Sequence, residues 1–209
     1  MLKVDIHLNF ISYQILADFK MNKGETLGLY GKSGIGKSTL LKIIAGLSQA
    51  KRASIKWNDI AWNKGDLQLV KPQERNAGVV FQDFALFPNL TVEENLKYAQ
   101  QIDDNQMSEI IEVLDIQSIL HKKSNAISGG QKQRTALGRA LAYNPSLLLM
   151  DEPFSAVDDA IKENIKHYIK TYISKHEKMA IIASHDKDDL AFFTDSILDL
   201  NDTKVDTNP

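Results

Sequence analysis

The segment Gly31–Ser38, GKSGIGKS, most constrains what this chain can become. Apolar residues run into it from Leu27 to Tyr30, and Leu40, Leu41, Ile43, Ile44 and Leu47 follow it at helical spacing. A strand feeding a glycine-rich turn into a helix is the setting in which the pattern G-x-x-x-x-G-K-[ST] cradles phosphate. The glycines let backbone amides approach phosphate oxygens with no side chain in the way. The first helical turn adds unpaired amides and partial positive charge. In such a loop Lys37 reaches the β- and γ-phosphates and the Ser38 hydroxyl ligates Mg²⁺. The plainer alternative, a glycine turn that only caps a helix, does not require the strand in front of it.

The rest of the composition narrows the class. At 209 residues the chain is long enough for one large domain or a core carrying an inserted subdomain. A formal charge of −2 gives no basic excess, which counts against nucleic acid as the main partner. There is no cysteine, so disulfides and thiolate metal sites are excluded, as fits a cytosolic protein. The N-terminus alternates apolar and polar residues and reads as a strand, not a signal peptide. No apolar run approaches the roughly 18–20 residues that span a bilayer. The polar tail after Leu200 reads as frayed.

Strands alternate with helices along the chain, which predicts an α/β fold with a mostly parallel sheet and ligands beyond the strands' carboxyl ends. Strands are expected at 2–10, 14–21, 26–30, 54–57, 78–81, 147–150, 179–183 and 196–200, and the stretch from 58 to about 76 reads as loop-rich with no element assigned. The first helix is expected from Lys37 to Ala45, stopped by Gly46. Thr91 and Glu94 form a capping box that opens a helix to about Gln101, and further helices follow near 106–114 and 116–120. Ser128-Gly129-Gly130 opens a helix to about Tyr143, and another spans 158–175. The expected organisation is a single domain over 1–209. Its core and an N-terminal antiparallel β subdomain occupy about 1–87 and 145–209, with an α-helical subdomain inserted at about 88–144.

Several strands end in polar residues that a parallel sheet would bring to the phosphate loop. Asp151 and Glu152 follow the apolar strand LLLM; one carboxylate there can hold Mg²⁺ and its neighbour can orient or deprotonate a water. The same pair could simply open a loop. Gln82 ends another strand and can ligate Mg²⁺, and His185 ends a third within reach of a γ-phosphate. ISGGQKQR (127–134) exposes amides at a helix start, as either a second anion site or an ordinary cap.

Taken in order, GKSGIGKST, FQD (81–83), ISGGQ, LLLMDEP (147–153), SAVD (155–158) and SHD (184–186) resemble the motifs of ATP-binding cassette ATPases over essentially the whole chain. Ile127 and Val157 stand where that family usually has leucine. The resemblance implies a phosphate-loop NTPase core and a head-to-tail homodimer with two ATPs at its interface. Each ATP would lie between Gly31, Lys32, Ser33, Gly34, Ile35, Gly36, Lys37, Ser38 and Thr39 of one copy and Ser128, Gly129, Gly130 and Gln131 of the other. It implies Mg²⁺ held by Ser38, Gln82 and Asp151, Glu152 as general base, His185 as γ-phosphate switch, and Asp158 coupling the two sites. Phe10 or Tyr13 would stack on adenine. Gln82 with Phe84, Leu86, Phe87 and Pro88, expected to be exposed, would receive a cytoplasmic helix of a transmembrane permease, which could in turn engage a substrate-binding protein; apolar residues flanking a proline in a loop could instead fold inward.

The expected function is therefore the ATP-hydrolysing subunit of a membrane transporter, an importer by likeness, held at the inner face of the cell membrane through its permease. Lys71–Pro88 is similar to importer ATPases, molybdate-type oxyanion importers among them. The chain ends soon after its last expected strand, so no C-terminal regulatory domain is expected. The competing reading is a soluble cassette ATPase acting on nucleic acid or ribosomes. Its relatives carry coiled-coil insertions, zinc ligands or paired cassettes, which this chain lacks.

Overall fold

Two five-stranded sheets carry the architecture of the computed structural model, which describes residues 1–9, 14–194 and 196–202. The elements run β1 (Leu2–Asn9), β2 (Gln14–Met21), β3 (Thr26–Tyr30), α1 (Lys37–Ala45), β4 (Arg52–Trp57), β5 (Ile60–Lys64), β6 (Leu67–Gln68) and β7 (Ala77–Val80). They continue through α2 (Val92–Lys97), α3 (Asp104–Val113), α4 (Gly129–Ala142), β8 (Leu147–Asp151), α5 (Asp159–Lys175), β9 (Met179–Ser184), α6 (Lys187–Phe193) and β10 (Ile197–Asp199). Phe10 and Tyr13, the two candidates for the adenine contact, lie outside the described residues.

The first sheet is antiparallel, ordered β2-β1-β4-β5-β6; the second is parallel, ordered β10-β3-β9-β8-β7. In the parallel sheet Tyr30 lies beside Ser184, Asp151 beside Ala183, and Val80 beside Met150. The carboxyl ends of β3, β9, β8 and β7 therefore share one edge of the molecule, and the candidate residues follow those ends.

Side chains of a strand alternate between the two faces of its sheet. Leu147 and Leu149 of β8 and Met179, Ile181 and Ala183 of β9 pack with α1 and the antiparallel sheet in one core. Leu148 and Met150, with Ala180 and Ile182, face a second core formed with α3, α4 and α5. Both faces of the parallel sheet are thus covered, which explains why LLLM carries no polar residue. The alternation also assigns Asp151 to the face that holds Leu147 and Leu149, the face on which α1 packs.

The loop-rich stretch at 58–76, to which the sequence assigns no element, is more regular than it reads. It contains β5 and β6 and a single 3-10 turn at Pro72–Glu74. The register of β4 against β5 shifts between Ile55 and Lys56, and Trp62 and Asn63 are buried consecutively. A bulge of this kind removes the two-residue rhythm by which a strand is recognised. The nearby Arg75, also read as loop, is 1 % exposed. Its guanidinium donates to the carbonyls of Ile43 (3.2 Å) and Ile44 (2.8 Å) at the end of α1, to the Val70 carbonyl and to Asn63 Oδ1 (2.8 Å). Burial lowers this guanidinium to about 10, so it remains charged at neutral pH. Arg75 thereby anchors the carboxyl end of the helix that follows the phosphate loop.

Candidate functional site

The phosphate loop turns through Gly34 and Gly36, whose φ values of 79° and 109° lie where a side chain is strained. Gly36 is the residue before α1, and no side chain caps that helix. Its first amides are left facing the loop's concavity, the arrangement suited to an anion. Lys37, 6 % exposed, curls back beneath the loop: its ammonium donates to the Gly31 carbonyl at 2.6 Å and pairs with Glu152 Oε1 at 3.2 Å.

At the end of β8 the chain departs from strand geometry, since Glu152 takes a left-handed φ of 48°. A non-glycine residue held there marks a position over-determined by its surroundings. The Glu152 carboxylate is engaged on three sides: by Lys37, by His185 Nδ1 at 3.0 Å, and by the Ser184 hydroxyl at 3.4 Å. The Ser155 hydroxyl closes the turn by donating to the Glu152 carbonyl at 3.0 Å. Asp151 behaves differently. It is 5 % exposed, and its Oδ1 is buried without a partner. Burial pushes its carboxyl up, opposed by a hydrogen bond from Ser38; Glu152 raises it and the Lys37 and Lys42 ammonium groups lower it.

Three of the spaces around these groups adjoin the phosphate loop and its helix. One of about 420 Å³ is lined by Tyr30, Gly31, Lys32, Ser33, Gln82, Glu152, Ser155 and His185. A second, of about 140 Å³, lies against Ser33, Gly34, Gly36–Thr39, Gln82, Asp151 and Glu152. The third, of about 270 Å³, opens outward past Ser38, Lys42, Phe81, Gln82, Asp83 and Asp151. Gln82, Asp151, Glu152 and His185 are thus brought to the phosphate loop from three separate strands. Ile35 packs over Gly31, where an added methyl would meet it at 2.8 Å. Tyr30, Ser155 and Asp83 line these spaces as well and were not among the expected site residues, although Asp83 and Ser155 belong to the FQD and SAVD motifs; Tyr30 carries no motif signal beyond adjacency to GKSGIGKS.

Ser128, Gly129, Gly130 and Gln131 line none of these three spaces. Ser128 caps α4 by a reciprocal box, its hydroxyl accepting the Gln131 amide at 3.3 Å while its own amide donates to Gln131 Oε1 at 3.0 Å. Gly129 has open space in front of it. Gly130 is pressed against the loop after Glu152: a methyl on it would lie 2.6 Å from the Ala156 carbonyl and 3.9 Å from Asp158 Oδ2. Asp158 is exposed and its side chain does not cap α5.

Beyond Gln82 the chain makes a turn in which Phe84 and Ala85 both adopt left-handed φ values, 65° and 46°. That turn folds Phe84 and Leu86 onto the helical core, so the expected exposed apolar set is smaller than its sequence suggests. Phe87 and Pro88 remain exposed. Phe87 packs on Tyr98 with ring centroids 4.3 Å apart, and the Arg139 guanidinium lies over it at 5.4 Å. These residues border a groove of about 250 Å³ floored by Ala77, Gly78, Val79 and Ala140.

The donor set suits Mg²⁺. Asp151 Oδ1 is a buried carboxylate oxygen in want of a partner, with the Ser38 hydroxyl and the Gln82 amide on the same two spaces. Among the described residues no three His, Cys, Asp or Glu side chains gather to hold a metal. A cation here would complete its shell with water and phosphate oxygens, which is how Mg²⁺ is commonly held. Among the described residues no helix is long and apolar enough to cross a membrane.

The sequence profile of the family described as ABC transporter matches residues 16–155. A probable sulfate/thiosulfate import ATP-binding protein, CysA of Chlorella vulgaris, is 35 % identical over 211 residues, covering 96 % of this chain and 87 % of that protein. The Fe(3+) ions import ATP-binding protein FbpC 2 of Rhizobium meliloti is 36 % identical over 88 % of this chain, and the molybdenum import ATP-binding protein ModC of Haemophilus ducreyi 32 % over 98 %. The chain spans only 47 % of the former and 59 % of the latter. Among solved structures, a dimeric bacterial ABC transporter cassette, MJ0796, superposes with a TM-score of 0.78 at 28 % identity, covering 98 % of this chain and 97 % of that one. A second structure of that cassette, in a post-hydrolysis state with ADP and phosphate, gives 0.77 at 28 % identity over 99 % and 97 %. With the loop, the carboxylates and the fold agreeing with these likenesses over nearly its full length, the chain belongs to the ABC transporter family.

Proposed function

We propose that this chain is the ATP-hydrolysing subunit of a membrane importer and works as a head-to-tail pair of identical copies. The observation that carries this reading is the division of its anion-binding features. Lys37, Asp151, Glu152 and His185 converge on the phosphate loop, while the Ser128–Gln131 turn lies outside those spaces with Gly129 open. A second copy facing the first brings that turn to the nucleotide. The dimeric form of the similar MJ0796 cassette supports the same arrangement.

The roles follow from position. The amides from Gly31 to Thr39 bind phosphate oxygens, and Lys37 turns its ammonium from Glu152 and the Gly31 carbonyl toward the β- and γ-phosphates. Ser38, Gln82 and Asp151 hold Mg²⁺, which when bound neutralises charge on the phosphates. Glu152 orients a water and takes its proton as the water oxygen bonds the terminal phosphorus and the bond to the bridging oxygen breaks, leaving ADP and phosphate. His185, hydrogen-bonded to Glu152, is placed to contact the terminal phosphate. Asp158, beside Gly130, relates this chain's hydrolytic loop to the turn it lends its partner. Contacts that need the γ-phosphate close the pair, and hydrolysis removes them.

Helices α2 to α4, over about 88–144, act as a subdomain that moves the Ser128 turn. The groove beside Phe87, Tyr98 and Arg139 receives a helix of the permease, which holds the chain at the inner face of the membrane; an exposed apolar surface of this kind marks an interaction site. The names of its relatives support import as the direction. The deciding experiment compares the chain with Glu152→Gln: turnover of ATP falls at least about 100-fold while nucleotide affinity is kept. Retained turnover would remove Glu152 from the role of base.

A further inference from the structure

Three side chains bearing oxygens with no protein partner meet on the outward space beside the phosphate loop. Among the described residues, nothing hydrogen-bonds or pairs with the Gln82 amide, the Asp83 carboxylate or Asp151 Oδ1, and all three residues line the space of about 270 Å³. Ser38, Gln82 and Asp151 also line the space of about 140 Å³ beneath the loop. They therefore stand between two volumes. One faces the loop amides and Glu152; the other faces Asp83 and Lys42.

Asp83 is held in place by its backbone. The Phe84 amide donates to the Phe81 carbonyl at 3.0 Å and the Ala85 amide to the Asp83 carbonyl at 2.8 Å, in a turn with two successive left-handed residues. The Phe84 side chain anchors that turn in the helical core.

Mg²⁺ dehydrates reluctantly and keeps several waters when only one or two protein carboxylates hold it. Phosphate oxygens can replace waters on the loop side alone. Those on the outward side need acceptors, and Asp83 is the carboxylate there that is not itself a proposed ligand. Lys42 lines the same space, so with Asp151 given to the cation the charges of Asp83 and Lys42 offset one another, which suits water more than a second cation. We propose that Asp83 is a positioning residue: it accepts hydrogen bonds from water on the outward side of the Mg²⁺ held by Ser38, Gln82 and Asp151, and so fixes the cation's orientation. This inference rests on the proposed ligand role of those three residues.

Mn²⁺ serves as the probe, its free concentration followed by electron paramagnetic resonance in titrations of the whole chain with AMP-PNP. Asp83→Ala is expected to weaken Mn²⁺ binding about 10-fold, the usual loss on removing an outer partner. Asp83→Glu is expected to recover most of it, and metal-free AMP-PNP affinity should stay unchanged. Because Asp83 is exposed and unpaired, its variants should melt with the parent, which a thermal scan verifies. Asp151→Asn in parallel separates the two levels of argument. Loss of Mn²⁺ with Asp151→Asn but parental affinity with Asp83→Ala overturns the role of Asp83 alone. Parental affinity with Asp151→Asn overturns the cation site itself.

Discussion

The Lys37 ammonium lies 3.2 Å from Glu152 Oε1, and both side chains are almost wholly shielded from water. Removing one member of such a pair strands the other as a buried charge. Lys37→Ala should therefore act twice: it lowers ATP affinity at least about 100-fold, and it destabilises the nucleotide-free protein by roughly 2–3 kcal/mol, since Ser184 and His185 still reach the carboxylate. Adding Glu152→Gln to it should restore most of the stability and none of the affinity. Denaturant unfolding and a fluorescent-nucleotide titration read the two effects separately, and joint recovery would count against a direct phosphate contact for Lys37.

Asp151 carries a cost in stability that its site explains. Its carboxyl is raised by burial, so between the ordinary carboxylate range and its folded value the native chain binds more protons than the unfolded one. Stability from this group is thus greatest at low pH and declines as pH rises through the folded value. Asp151→Asn should raise the unfolding midpoint at pH 7 by a few degrees, for about 1 kcal/mol, and reduce that decline. Differential scanning calorimetry without metal, from the ordinary carboxylate range of about pH 4 up to pH 8, tests it. A lower midpoint at pH 7 would show that the ionised carboxylate is stabilised by the fold.

Arg75 is the structural tie between the antiparallel sheet and the phosphate-loop helix. Arg75→Met would leave the carbonyls of Ile43, Ile44 and Val70 and the Asn63 amide oxygen short of a donor. About 3 kcal/mol of stability should go, or roughly 6–12 °C in Tm for a chain of this size. Loss of less than about 1 kcal/mol would mean that water satisfies these acceptors.

Gly130 has room for its hydrogen but not for a methyl group against the Ala156 carbonyl. Gly130→Ala should leave nucleotide binding by a single chain within about twofold, because the phosphate loop is untouched. Dimerisation of the Glu152→Gln form with ATP should fall sharply, as the loop from Ser155 to Asp158 is displaced. Sedimentation velocity distinguishes the two effects. Undiminished dimer would separate this contact from the closing surface.

How much of this was legible in the chain depends on how local the cause is. The helix Lys37–Ala45 was readable to the residue, since the loop before it and Gly46 after it are written in adjacent positions. The capping box at Thr91 is likewise local and forms, and the cap at Ser128, one of two readings of ISGGQ, takes the form of a reciprocal box with Gln131. Strands β5 and β6 were not legible: a bulge breaks the alternation, and Trp62 and Asn63 are buried side by side, with Arg75 over the Trp62 ring and bonded to Asn63 Oδ1. Arg75 sits in a polar run, KPQERN, and nothing nearby announces that the end of α1 will claim its guanidinium. Phe84 and Leu86 looked exposed because the left-handed turn that folds them inward is made by ordinary residues, with no glycine to mark it. In the catalytic region the motifs identified the strand ends; the relation of Gly130 to Ala156 needed the fold.

Closure of two chains around ATP is the claim on which the functional account depends, and the mass of the Glu152→Gln form in solution tests it most directly. Size-exclusion chromatography with light scattering should give the 23.5 kDa protomer without nucleotide and twice that mass with ATP and Mg²⁺, returning to the single mass when Ser128→Arg is added. A protein that stays at the protomer mass at saturating ATP, while binding it tightly, would contradict the account.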